Sequence, residues 1–167
     1  MPAETEIEAL ADSLESVIAD LTRAHAELLE MVREHRRAIS RSDAAAIQEC
    51  LSRQGLLATR LADLERNRRQ IVALITGKPT SPFAEVSPHL PDRSRDRIAT
   101  ASEGLRALLG TIQRENNIVR SATHTLIAHI DGLMQQVARA LSQAGTYGRQ
   151  GRVEAVGPVP CGLDMVH

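Results

Sequence analysis

From Glu4 to Ile39, apolar residues recur at alternating spacings of three and four, and no glycine or proline interrupts them. This spacing lines the apolar side chains along one face of a helix and is typical of coiled-coil packing. The main positions of this face are Ile7, Leu10, Leu14, Val17, Leu21, Ala24, Leu28 and Met31. One long helix is therefore predicted at about residues 4–40, and its apolar face needs partners elsewhere in the chain.

A second helix is predicted directly after the first, at about residues 43–76. Ser42 is the expected N-cap with Asp43 in the first turn, and Gly77 followed by Pro79 forms a C-terminal stop. Gln54 and Arg68 interrupt an apolar seam that otherwise consists of Ile47, Cys50, Leu57, Leu61, Leu64, Ile71 and Ile75. Because the link between the two helices is so short, they are expected to form an antiparallel hairpin.

Four prolines with little periodicity around them mark residues 77–91 as a long connection. A third helix is predicted at about residues 92–144, and its apolar pattern continues through Gly104, Gly110 and Gly132. The predicted fold is all-α: an antiparallel long-helix hairpin plus a third, longer helix, forming a three-helix coiled-coil-like bundle. Residues 1–145 are interpreted as one helical domain, and residues 146–167 as a flexible tail rich in glycine.

The third helix is predicted to be longer than the hairpin, and this difference in length bears on function. At about 1.5 Å per residue the first two helices span roughly 50 Å each, whereas the third spans roughly 75 Å. The hairpin is too short to cover the whole third helix, so the apolar stripe from Leu126 to Leu141 is expected to lack partners within the chain. An exposed stripe of this size usually marks an interface with another helix.

Composition argues against several classes of function. The net charge of -1 offers no field for nucleic acid, and an aromatic content of 1% offers no stacking platform for single strands. No histidine pair has the i, i+4 spacing of a helical metal site, and no glycine-rich phosphate loop precedes a helix. We therefore expect neither an enzyme nor a cofactor or metal.

The cysteines and the hydropathy pattern indicate the cellular compartment of the protein. Cys50 and Cys161 are far apart and have no CxxC partner, a pattern that favours a reducing compartment. The N-terminus is acidic rather than signal-like, and no uncharged apolar run reaches about 18 residues. The expectation is a cytoplasmic chain without membrane insertion.

Three short segments stand at recognisable places in this order of helices. Leu64-Glu65 with Arg68 stands near the end of the second helix, and Asn116-Asn117 is followed by Ile118-Val119 in the third. Past the last helix comes Thr146-Tyr147-Gly148-Arg149-Gln150-Gly151. The order of the elements and these segments resemble the FlgN family of flagellar export chaperones, and the last segment is similar to the Tyr-Gly-Arg-x-Gly element of that family. The resemblance covers about residues 5–152 of the chain.

The resemblance implies a chaperone for hook-filament junction (hook-associated) proteins. Members of the family hold the C-terminal helical segments of these clients, prevent premature assembly and deliver them to the flagellar type III export gate. The candidate client-binding residues all lie on the third helix, and they are Asn116, Val119, Leu126, Ile130, Leu133, Val137 and Leu141. Tyr147 is the candidate contact for the export gate.

A different interpretation uses the same apolar stripe. A structural or adaptor coiled-coil protein would homodimerise through it, and a homodimer is also the alternative state of a chaperone without client. A tight dimer that did not depend on concentration would favour the structural interpretation, because it would leave no free face for a client.

Overall fold

The computed structural model describes the backbone of residues 4–144 and the side chains of residues 5–142. Within these residues the chain forms four α-helices and one short 3-10 helix, and no strand. The helices are α1 (Glu4–Ser40), α2 (Ala44–Thr76), α3 (Phe83–Val86) and α4 (Asp92–Ala144), and the 3-10 helix is Ser87–His89. The predicted all-α fold is confirmed, with each long helix within one residue of its expected bounds.

The first two helices form the predicted antiparallel hairpin. Ion pairs between them join Glu34 to Arg53 at 3.0 Å and Glu27 to Arg60 at 3.4 Å. The turn differs from the prediction in one detail, because Asp43 and not Ser42 caps α2. The Asp43 carboxylate accepts a hydrogen bond of 3.0 Å from the Ala46 amide, whereas Ser42 takes a left-handed turn conformation with φ of 52°.

The connection after α2 is more ordered than its four prolines predict. Gly77 ends α2 with φ of 77°, and its amide donates to the Ala73 carbonyl. The chain then forms α3 and the 3-10 helix, which bring Val86 and Leu90 into the core with exposures of only 2% and 3%. The Arg95 guanidinium donates to the carbonyls of Ser87 and Leu90 and so holds the connection against the start of α4.

The main core forms where α1, α2, the connection and the start of α4 meet. The buried apolar residues of this cluster are Ala11, Leu14, Val17, Ile18, Leu21, Ile71, Val72, Ile75, Val86, Leu90 and Ile98. A smaller cluster of Ala24, Met31 and Leu57 continues the packing between α1 and α2. The seams predicted from spacing therefore face inward, and Val72 adds a buried side chain that the seam of α2 does not include.

Two groups of ion pairs between α1 and α4 define how the helices run. Arg97 lies 2.7 Å from Glu15 and 3.5 Å from Asp12, while Arg36 lies 2.9 Å from Glu115. Residues later in α1 thus pair with residues later in α4, and the two helices run in the same direction. Val119 is the last buried apolar side chain along α4 within the described residues.

The chain divides into two compact units, Met1–Thr123 and His124–His167. The first unit contains the hairpin, the connection and the first part of α4. In the second unit the structure describes one helical segment, residues 124–144.

Candidate functional site

The helical segment of the second unit carries a stripe of exposed apolar side chains. We call these residues the α4 stripe: Leu126, Ile127, Ile130, Leu133, Met134, Val137 and Leu141. Leu126 is partly exposed, and the other six side chains are between 48% and 68% exposed. At about 100° per residue they occupy roughly a third of the helix circumference, which is the width of a normally packed face. This helix thus has the surface of a core-facing helix, but it is exposed to solvent.

The rest of the segment is polar but carries few charges. Between His124 and Ser142 the acidic and basic residues are Asp131 and Arg139, and the two histidines are His124 and His129. Arg139 lies on the side of the helix opposite the stripe, whereas Asp131 lies at one edge of the stripe, four residues after Ile127 and three before Met134. No acidic or basic side chain interrupts the α4 stripe itself, so the centre of the stripe can accept an apolar surface without desolvating a charge.

The structure places the predicted client-binding residues in two environments. Leu126, Ile130, Leu133, Val137 and Leu141 all belong to the α4 stripe and are partly or fully exposed. None of these five side chains is buried. Their role in binding a client stays a prediction.

The remaining predicted residues lie apart from the stripe. Asn116 is exposed, but it belongs to the first unit. Val119, in the same unit, is only 8% exposed and packs as a core residue. Tyr147, the candidate gate contact, lies outside the described residues.

Sequence reasoning missed two members of the stripe. Ile127 and Met134 are exposed beside the predicted residues, and Met134 is among the most exposed apolar side chains of the described chain. Ile127, Met134 and Leu141 follow one another at intervals of seven, so a second apolar row next to the first was readable in the sequence. The stripe therefore has two more exposed apolar side chains than the prediction named.

The first unit has its own open groove, between α1, α2 and α4. It has a volume of about 540 Å³, and its lining residues are Leu21, His25, Leu61, Ala62, Glu65, Arg68, Leu105 and Leu109. Arg68 donates two hydrogen bonds of 2.8 Å to the Glu65 carboxylate. These hydrogen bonds are the main reason why the pKa of Glu65 is lowered and the pKa of Arg68 is raised. The charge of Arg68 is thus satisfied within α2.

Glu115 on α4 is a carboxylate that lies largely out of solvent, with a side chain only 16% exposed. Arg36 lies 2.9 Å from one carboxylate oxygen, and Arg33 lies 3.9 Å from the other. Although Arg36 is close, its N–H is not aligned for a hydrogen bond, and that oxygen is buried without a hydrogen-bonding partner. The interaction is an electrostatic contact between α1 and α4.

Within the part of the chain that the structure describes, no group of three or more His, Cys, Asp or Glu side chains is arranged to hold a metal ion. Among the described helices, none combines the length and apolar content needed to cross a membrane.

These features define an all-α protein: its first unit is a helical hairpin packed against the first part of α4, and its second unit contains a helical segment with exposed apolar side chains. The family model described as FlgN protein matches residues 1–155, so the chain belongs to the FlgN family. Membership of this family gives the chain the general role of a flagellar export chaperone. Neither a curated protein nor a solved structure matches the chain.

Proposed function

We propose that the α4 stripe binds the C-terminal helical segment of a hook-filament junction protein in the cytoplasm and keeps it from assembling before export. The observation that supports this proposal is the stripe itself, in which six large apolar side chains stand between 48% and 68% exposed on one helix. Large exposed apolar patches on a single chain usually mark interaction sites. An amphipathic client helix would cover the stripe by laying its own apolar face against it.

The chemistry of the stripe suits a client that has to be released. Aliphatic side chains and one methionine provide buried area, but the described stripe contains no Trp, Tyr or Arg, the residues that dominate the tightest interfaces. Met134 adds an unbranched side chain that adapts to different partners. Binding of moderate strength follows, and the export machinery can then remove the client without a bound nucleotide.

Three further residues have separate places in the proposal. Asn116, exposed on α4 in the first unit, is a candidate hydrogen-bonding contact for a client. Val119 is buried, so the apolar part of the proposed contact surface begins after it. Tyr147 remains the proposed contact with the export gate, by resemblance to the Tyr-Gly-Arg-x-Gly element.

A binding experiment tests the role of the stripe. The chain is mixed with the C-terminal segment of a hook-filament junction protein from the same genome, and the complex is measured by gel filtration and calorimetry. Leu133→Glu with Val137→Glu is expected to weaken binding roughly tenfold or more, because each carboxylate would be buried without a partner. The matched control is Leu56→Glu with Leu74→Glu on α2, where both leucines are also exposed. No complex with the native chain, or equal weakening by both pairs of substitutions, would contradict the proposal.

A secretion experiment tests Tyr147 separately. Tyr147→Ala is expected to leave the client complex intact in solution while reducing export of the client from cells. Tyr147→Phe is the conservative control, because it keeps the ring and removes only the hydroxyl. Loss of client binding by Tyr147→Ala would place this residue in the client site and not at the gate.

A further inference from the structure

The open groove of the first unit, called the α2–α4 groove below, is lined mainly by apolar side chains. Leu61 and Ala62 stand on its α2 wall, and Leu105 and Leu109 stand on its α4 wall. Leu21 of α1, which is only 3% exposed, lies at its floor. Leu109 remains 42% exposed. The groove thus presents apolar surface to solvent at a place that the α4 stripe does not include.

The groove is open because α2 and α4 are each held to α1 and not to each other along this stretch. Arg60 of α2 pairs with Glu27 of α1, and Arg97 of α4 pairs with Glu15 of α1. Among the described residues, no ion pair joins α2 to α4. Two helices that rest side by side on a third leave a groove between them. In helical bundles a further helix fills such a groove, with its ridges of side chains packed into it.

The charged side chains around the groove leave an excess of positive charge. Glu65 and Arg68 line the groove, and the Glu65 carboxylate accepts hydrogen bonds from Arg68 at 2.8 Å and from Arg69 at 3.0 Å. Two guanidinium groups therefore share one carboxylate. Arg106 follows Leu105 directly on α4, is exposed, and has no ion-pair partner within residues 5–142. The groove is thus apolar at its centre and basic at its edges.

Other carboxylates on the two walls do not offset this charge. Asp63 comes two residues after Leu61, and Glu103 comes two residues before Leu105. A separation of two residues is roughly 200° around a helix, so both carboxylates lie on the sides of α2 and α4 that face away from the groove. Asp63 also pairs with Arg66 on an exposed surface. The positive charge at the edges of the groove is therefore available to a partner.

We propose that the α2–α4 groove is a docking site for one amphipathic helix of a partner protein, with acidic residues along the edges of its apolar face. Apolar side chains of that helix pack between Leu61, Leu105 and Leu109, as in other helix-in-groove complexes. Its carboxylates pair with Arg106 and Arg69. A helix with basic edges meets like charges at the same positions, so the charge of the groove selects the acidic partner.

The size of the groove sets how strong this docking is. The α2 wall from Leu61 to Arg68 is about 10 Å long, which corresponds to about two turns of a partner helix. Such a short contact buries little area compared with a stable protein interface. We therefore expect a complex that forms and dissociates readily, with a dissociation constant on the order of micromolar or weaker.

The groove proposal does not rest on the proposed function. The groove lies within Met1–Thr123, whereas every residue of the α4 stripe lies within His124–His167. Because no residue belongs to both surfaces, each can be altered without changing the other. Docking at the groove and binding of a client can therefore fail separately.

Two designed peptides of about 18 residues, or five helical turns, test the selection by charge. The acidic peptide has leucines along one face and glutamates at both edges of that face, and lysines replace the glutamates in the basic peptide. The full chain carries Ile130→Gln, Leu133→Gln and Val137→Gln, which weaken the α4 stripe without adding charge. At about 0.15 M salt, fluorescence anisotropy is expected to show the acidic peptide binding roughly tenfold more tightly than the basic one. No binding of the acidic peptide, or equal binding of both, would overturn the proposal.

A charge reversal in this same chain locates the contact. Arg106→Glu is expected to weaken binding of the acidic peptide roughly tenfold and to strengthen binding of the basic peptide. Arg114→Glu is the matched control, because Arg114 is exposed nine residues after Leu105 and so lies on the opposite side of α4. Leu109→Gln is expected to weaken both peptides. Equal effects of Arg106→Glu and Arg114→Glu would show that the acidic peptide does not dock at the groove.

Chemical protection gives a measurement that does not depend on altering the edges of the groove. In a chain with Cys50→Ala and Cys161→Ser, the thiol of Ala62→Cys is expected to react several times more slowly with N-ethylmaleimide when the acidic peptide is present. Asn67→Cys is the control, because Asn67 is exposed on a different side of α2. Unchanged reaction of Ala62→Cys, or equal protection at both positions, would contradict docking in the groove. None of these readouts requires a junction protein.

Discussion

Glu115 on α4 and Arg36 on α1 form an ion pair of 2.9 Å in which the carboxylate is largely buried. Arg33 approaches the other carboxylate oxygen at 3.9 Å. A charge removed from water needs its partner more than an exposed one does, because solvent no longer compensates for the loss. The contact lies four residues before Val119, so it fixes α4 near the end of its buried part.

Arg36→Met tests the contribution of this pair. It keeps much of the aliphatic stem but leaves the Glu115 carboxylate with Arg33 alone, and we expect the free energy of unfolding to fall by about 1–2 kcal/mol. Arg66→Met is the matched control, because Arg66 pairs with Asp63 on a well-exposed surface. The control substitution should lower the free energy of unfolding by less than about 0.5 kcal/mol. Equal effects in urea unfolding would mean that burial of Glu115 has no energetic importance.

Replacing glycine by alanine is expected to have opposite effects on stability at the end of a helix and in its interior. Gly77 ends α2 with φ of 77°, a conformation that a side chain disfavours, whereas Gly104 lies within α4 with open space around it. Gly77→Ala is expected to destabilise the chain by about 1 kcal/mol. Gly104→Ala is expected to stabilise it by up to about 1 kcal/mol, because alanine favours the helix. Thermal unfolding measures both, and a loss of stability in Gly104→Ala would contradict the second expectation.

The fold was predictable because three long helices impose a strong periodic signal. The seams of α1 and α2 and the stop at Gly77 follow from spacing and capping residues alone. The structure of the connection was not predictable in this way. Its prolines indicate a loop, and its helices are too short to show an apolar period, although Val86 and Leu90 lie in the core. Burial of these two side chains depends on the position of the hairpin beside them, and no local pattern encodes that position.

The ion pair of Glu65 and Arg68 makes the stability depend on pH. The pKa of Glu65 is lowered in the folded chain, chiefly by hydrogen bonds from Arg68, so the unfolded chain takes up the proton first as the pH falls. The stabilisation is complete above about pH 4.3, the ordinary pKa of glutamate, and is lost as the pH falls through the folded pKa. Because the pair is partly exposed, we expect it to contribute less than about 1 kcal/mol to the free energy of unfolding.

Glu65→Gln measures this contribution. The difference in unfolding free energy between the native chain and this variant should be largest near neutral pH and should shrink below about pH 4.3. Glu103→Gln, at an exposed position in α4, serves as the control. A difference for Glu65→Gln that stayed constant on acidification would mean that the ion pair does not stabilise the fold.

The sequence predicted that α4 carries an exposed apolar stripe, but not the residue at which the stripe begins. Helix length alone indicated that Leu133 and Val137 lack partners, because a helix of 53 residues is longer than either arm of the hairpin. Where burial ends along α4 depends on the offset between α1 and α4, and the Arg97–Glu15 and Arg36–Glu115 ion pairs show what this offset is. In the sequence both Val119 and Val137 belong to the apolar pattern of the helix. Only the structure shows that Val119 is buried and Val137 is exposed.

Val119 and Val137 therefore give a matched comparison within one helix. Val119 is 8% exposed, whereas Val137 is 54% exposed. Val119→Ala is expected to lower the free energy of unfolding by about 1–3 kcal/mol, because two methyl groups leave a packed environment. Val137→Ala should change it by less than about 0.5 kcal/mol, since an exposed position loses little and alanine favours the helix. Both variants are measured by urea unfolding of a dilute sample, in which any pairing through the α4 stripe is dissociated. A cost of Val137→Ala equal to that of Val119→Ala under these conditions would mean that the α4 stripe is covered within the single chain.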